Sequence, residues 1–87
     1  MLEIEVTETF VKLYRDLPDY IRRKADLKTD IFRRNPFHPS LRTKKLEPHR
    51  EEVWSFWINR DHRIKFRFMN AKRVHFLYIG NRKDIYR

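Results

Sequence analysis

"DHRIKFRF", residues 61–68, alternates without a break: His62, Ile64, Phe66 and Phe68 fall on one parity, Arg63, Lys65 and Arg67 on the other. Successive side chains of a strand point to opposite faces. This period of two therefore predicts a β-strand with one apolar face and one face carrying three cations in a row. With the strand taken as "HRIKFRFM" (62–69), two further strands flank it, "EVWSFWIN" (52–59) and "RVHFLYIG" (73–80), separated from it only by "RD" and "NAK". Connectors this short predict a meander of antiparallel hairpins. In the last strand Val74, Phe76 and Tyr78 share one parity and Leu77 and Ile79 the other, which predicts cover on both faces and a central place. Gly80, the only glycine of the chain, ends that strand and marks a position where the backbone is under demand.

Upstream, "LEIEVT" (2–7) alternates Leu2, Ile4 and Val6 with Glu3, Glu5 and Thr7, as an edge strand with a wet face does. Phe10, Leu13, Tyr14 and Leu17 then recur at helical spacing, with Thr7 or Thr9 as the cap and Pro18 as the stop. A second helix follows, with Asp19 placed to cap it and a stripe of Tyr20/Ile21, Lys24/Ala25, Leu27 and Ile31/Phe32. Arg33 and Arg34 suit its C-terminal dipole, and Asn35 before Pro36 ends it. From Pro36 to about Arg50 there are three prolines and no clean period, which predicts an ordered loop anchored by Phe37, Leu41 and Leu46. Strand, helical hairpin and meander together predict an α+β sandwich, a single domain over residues 1–87 with its helices on one sheet face.

Composition narrows the function. The absence of cysteine excludes disulfides and Cys-based zinc sites. Acidic residues in "MLEIEVTETF" argue against a signal peptide, and no stretch reaches membrane-spanning length, so a cytoplasmic protein with no membrane partner is expected. The net charge of +9 is uneven: residues 1–43 contribute +2 and residues 44–87 contribute +7. Such an imbalance favours a polyanionic partner, nucleic acid or an acidic protein, although basic surfaces also serve solubility alone.

If the helices cover one face of the sheet, Arg63, Lys65 and Arg67 project from the other. Residues two apart on one strand face are about 6–7 Å apart, close to the phosphate spacing of a single nucleic-acid strand. Ser55, Trp57 and Asn59 share that open face, so Trp57 is either a base-stacking platform or a residue packed under the long loop. Phosphate-binding loops, nucleophile elbows and metal-ligand motifs are absent, and His38, His49, His62 and His75 are scattered, so no metal and no cofactor are expected. RNA carries its own nucleophile, however. Cleavage through a 2′-hydroxyl needs a base, cations for the phosphate and an acid for the leaving 5′-oxygen.

"HPSLRTKKL", "VWSFWINRDHRIKFRF" and "YIGNRKDIYR", in this order behind a strand and a helical hairpin, resemble the RelE/ParE superfamily of type II toxin-antitoxin toxins, in particular the RelE/StbE and YoeB-like branch. The likeness spans essentially the whole chain. It implies a toxin neutralised by a cognate acidic antitoxin, operator DNA being reached only through that antitoxin. In the RelE-like branch it further implies cutting of mRNA at the ribosome. By this resemblance Arg63 and Arg82 hold the scissile phosphate, and Tyr86 stacks on or assists at the cleaved nucleotide. Lys45, Trp57, Lys65, Arg67, Asn81 and Lys83 are the further RNA-facing candidates.

The proton-transfer groups depart from the family pattern. RelE-like toxins have lysines on the strand before the hairpin, where this chain has Ser55 and Trp57. YoeB-like toxins have a glutamate base two residues before the loop leucine, where this chain has Lys44, with Glu47 just past Leu46. Asn81 stands where many relatives have histidine. Lys44, Lys45 and Glu47 are thus the candidates for the base, and Tyr86 and Arg82 for the acid. A ParE-like inhibitor of DNA gyrase that cleaves nothing, and a degenerate module that only binds an antitoxin, remain as alternatives.

Overall fold

The computed structural model describes residues 1–46 and 52–85. Along the chain come β1 (Glu3–Val6), α1 (Glu8–Arg15), α2 (Asp19–Arg34), β2 (Lys44–Lys45), β3 (Val53–Trp57), β4 (His62–Phe68) and β5 (Arg73–Asn81), with 3-10 turns at Pro39–Leu41 and Arg82–Asp84. One five-stranded sheet runs in the order β1-β5-β4-β3-β2. Its β3 to β5 part is the antiparallel meander expected from the short connectors; β2, inside the stretch read as loop, adds antiparallel to β3, and β1 joins the far edge parallel to β5. Among the described residues no helix is long and apolar enough to cross a membrane.

The alternation of β4 is realised as read. Ile64 and Phe66 are fully buried with Phe56 and Ile58, and Phe68 packs at the margin of the same core. The helices close this face. Phe32 of α2 is its centre, with ring centroids 4.8 Å from Phe56, 4.9 Å from Phe66 and 5.5 Å from Phe76. Stacked and edge-on rings of this kind add to the area they bury, so a few phenylalanines carry much of a small core.

Of the two threonines at the start of α1, Thr7 is the cap. Its hydroxyl oxygen accepts from Phe10 N at 3.0 Å while the hydroxyl donates to the Leu77 carbonyl at 3.1 Å, so one side chain ends β1, starts α1 and ties both to β5. The expected cap of α2 is corrected: Pro18 is the N-cap, and Asp19 is the first helical residue, paired with Arg22 one turn on. Ile21, Ala25 and Phe32 form the buried stripe, whereas Tyr20 and Leu27 are exposed. The long loop is anchored by Leu41 and Leu46, both buried, while Phe37 stays exposed and only rests on Trp54 and Phe68.

The mixed parities of β5 have a different cause from cover on both faces. Its register against β4 slips between Lys65↔Tyr78 and Phe66↔Phe76, leaving Leu77 as one extra residue, a β-bulge. Val74 and Phe76 before the bulge and Ile79 after it therefore reach the same core, and Tyr78 and Gly80 turn to the cation face. Gly80 has no positive φ. The demand on it is for space, since a Cβ there would stand 2.6 Å from Tyr78 Oη and 2.9 Å from its Cζ.

Candidate functional site

Opposite the helices, the register sets Ser55 beside Lys65, Trp57 beside Arg63, and Lys44 of β2 beside Ser55. Lys44, Ser55, Trp57, Arg63, Arg82, Lys83 and Ile85 line a cleft of about 310 Å³. Four of these seven residues are cations, and no carboxylate is among the described residues of the wall. Among the described acidic groups, Asp61 stands 4.0 Å from the cleft residue Arg82, and Glu3 and Glu5 lie at the far edge of the sheet, 3.3 and 3.6 Å from Arg73.

The turn joining β3 to β4 holds the cleft in shape. Asn59 Oδ1 accepts from the backbone N–H groups of Asp61 and His62, each at 2.9 Å, and the His62 ring nitrogen Nδ1 is 3.1 Å away. Arg63 folds back under this turn. Its Nη1 donates to the carbonyls of Asn59, Arg60 and His62 at 2.8, 3.0 and 3.1 Å, and the residue is only 7% exposed. Arg63 is thus a buried, braced charge rather than part of a solvated row. The last turn is docked here too, by Arg82 N–H donating to the Asp61 carbonyl at 2.8 Å.

The other sequence candidates divide. Lys83 and the exposed Arg82 and Lys44 reach the cleft. Lys65 shares the face, with Nζ 5.5 Å from the Tyr78 ring centroid, and Arg67 lies further along it beside Val53 and His75. Lys45 pairs with Trp54 on the core-facing parity, and its Nζ is 3.4 Å from Glu52, so it is not brought to the cleft. Asn81 caps the last turn by accepting from Lys83 N–H at 2.9 Å. Glu47 and Tyr86 lie outside the described residues. Among those described, no group of three or more His, Cys, Asp or Glu side chains is placed to hold a metal ion.

Trp57 changes its reading most. Arg63 Cζ stands 4.0 Å from its ring centroid and Arg42 Cζ 4.3 Å, so the indole already carries two guanidiniums. Sequence reading missed Arg42. It follows the 3-10 turn Pro39–Leu41 and has φ 48° and ψ 45°, the only non-glycine residue with positive φ among those described. That conformation costs an ordinary residue roughly 1–2 kcal/mol, and an exposed cation–π contact returns about 0.5–1 kcal/mol. The Arg42 N–H donates to the Pro39 carbonyl at 3.3 Å, so the left-handed backbone closes the 3-10 turn, a place usually taken by glycine. Nothing in "SLRTKK" marks a left-handed residue, because glycine or asparagine would be the usual signal.

Solved structures share this fold. The chain superposes on an archaeal RelE in the RelE-RelB complex from Pyrococcus horikoshii with TM-score 0.76 and 19% identity, covering 95% of this chain and 97% of that one. A YoeB/ParE toxin from Agrobacterium tumefaciens gives 0.76 at 17% identity, over 92% and 98%. The toxin of the RelB-RelE complex from Methanococcus jannaschii gives 0.73 at 22%, over 93% of each. No protein-family model and no curated protein sequence matches the chain. At these identities the likeness establishes the RelE-like fold, over nearly its full length.

Proposed function

We propose that this chain is the toxin of a type II toxin-antitoxin pair and that it cuts mRNA at the ribosome without a metal, as a single domain working in the cytoplasm. The observation carrying this reading is the cleft itself, where Lys44, Arg63, Arg82 and Lys83 converge around Ser55 and Trp57 with no carboxylate among the described walls. In the reaction the 2′-oxygen attacks the adjacent phosphorus, its proton passes to a base, and the 5′-oxygen leaves with a proton from an acid. Charge gathers on the phosphoryl oxygens meanwhile. Cations fixed in advance stabilise that charge without reorganising, a role suited to the braced Arg63, with the exposed Arg82 and Lys83 as further phosphate ligands. Lys44 and Glu47 are the candidates for the base and Tyr86 for the acid. An acidic antitoxin segment, complementary to the same cations, supplies neutralisation, and operator DNA is met through that partner.

The test is induction of the chain alone in cells with mapping of mRNA 5′ ends. New ends within reading frames are expected from the wild type and are lost in Arg63→Ala, Arg82→Ala and Tyr86→Phe. Each variant is also purified and melted, because Arg63 braces a turn as well.

One observation favours a second reading, a ParE-like toxin acting on DNA gyrase. The described cleft wall has no histidine or carboxylate to move a proton, and Arg63 Nη1 is engaged by three carbonyls. Growth arrest with DNA damage and no new 5′ ends decides for it.

A further inference from the structure

Arg42 combines three features: a left-handed backbone in a residue with a Cβ, a guanidinium seated over the same indole as Arg63, and an exposed side chain with no ion pair to a described carboxylate. An arginine kept at the rim of a site, in a left-handed cap that glycine would fill without cost, points to a use for the side chain that it presents. The loop is built to hold it: Leu41, the residue before, is fully buried, and the Thr43 hydroxyl, the residue after, donates to the Pro36 carbonyl at 2.6 Å. Two guanidiniums over one ring repel each other, and an anion beside them relieves the repulsion. Trp57 also lines the cleft, so the pair joins the cleft to the loop.

We propose that Arg42 is an RNA-contacting residue, extending the cationic cleft by one nucleotide on the side of the loop at residues 36–43. The proposal rests on the reading that the cleft takes RNA. A guanidinium already seated on Trp57 loses little freedom on binding, and it offers a phosphate its N–H edge and an unstacked base its plane. Trp57 is then the seat of two cations rather than the base platform itself.

The test is equilibrium binding of a single-stranded 2′-O-methyl RNA, which has no free 2′-hydroxyl and cannot be cut, to wild type, Arg42→Gly, Arg42→Asn and Arg42→Lys across a salt series. Glycine and asparagine accept the left-handed backbone, so these variants melt at or above the wild-type temperature. Each binds about tenfold more weakly, with the slope of log affinity against log salt shallower by about 0.7, the value for one lost phosphate contact on a single strand. Arg42→Lys keeps the slope and loses part of the affinity. Unchanged affinity and slope in Arg42→Gly and Arg42→Asn, with the wild type binding, overturn the role of Arg42 alone. A wild type that binds no oligonucleotide overturns it together with the RNA reading, whereas absence of mRNA cleavage in cells alongside intact binding removes only the nuclease.

Discussion

Gly80 shows how little room the cation face leaves. Tyr78, turned to this face by the bulge, lies across the position of the missing Cβ, and Lys65 reaches toward the same ring. Gly80→Ala is expected to cost about 1 kcal/mol, the low end of an overpacking change, because the obstacle is the outer end of one half-buried side chain. In a chain that already carries Tyr78→Ala, the same change costs at least about 0.5 kcal/mol less, because the two residues share one contact. Urea denaturation of the two single variants and the double variant checks this, and additive losses would refute the steric account. The sequence pointed to Gly80 but to the wrong reason. A lone glycine signals a constraint, and only the register tells a constraint on φ from a constraint on space.

At the level of elements, α1 and α2 are pinned by Tyr14, whose hydroxyl donates to Asp26 Oδ1 at 2.7 Å. The phenol is pushed above its ordinary value of 10.0, first by burial, then by the hydrogen bond to Asp26 and that residue's charge, with Arg22 opposing. The folded chain holds this proton to higher pH than the unfolded chain. The stabilisation is therefore complete below pH 10 and is lost as pH climbs through the raised value. Tyr14→Phe should lower the melting temperature slightly at neutral pH and flatten its decline above about pH 10, and parallel curves for the two proteins would sink this assignment. Periodic segments were legible here: β1, β4 and both helices lie within a residue or two of where alternation and helical spacing put them. The bulge at Leu77, the two-residue β2 and the left-handed Arg42 were not, because each is decided by a neighbour distant in sequence. Leu77 is extra only relative to β4, Lys44 and Lys45 form a strand only against Ser55 and Trp54, and the guanidinium of Arg42 meets Trp57 fifteen positions on. The cleft was legible in part for the same reason. Arg63, Arg82 and Lys83 could be named from the chain, but the burial of Arg63 and the turning away of Lys45 depend on how strands align.

The charge of the whole molecule is polarised across the sheet. Glu3 and Glu5 offset Arg73 at the β1 edge, while Lys44, Arg63, Arg82 and Lys83 gather in the cleft between β2 and the last turn. Three strand spacings separate β1 from β3, about 14 Å, which exceeds the screening length of about 10 Å at 0.1 M salt. Glu3→Gln with Glu5→Gln is accordingly expected to change RNA affinity less than about twofold, and Arg82→Gln with Lys83→Gln to lower it by about a hundredfold or more at low salt, one tenfold step per phosphate ligand. Filter binding at two ionic strengths distinguishes this polarity from a uniformly basic surface, for which both pairs would shift affinity by similar amounts. The parallel pairing of β1 with β5 has a consequence in time. Thr7 and Leu77 meet across 70 positions of chain, so at about 5–20 residues per second the first strand waits roughly 4–14 s for its partner to be synthesised. Arg82 and Lys83 are made later still. The cationic cleft draws its wall from residues between Lys44 and Ile85, so it takes shape only after β1 and both helices have long been made.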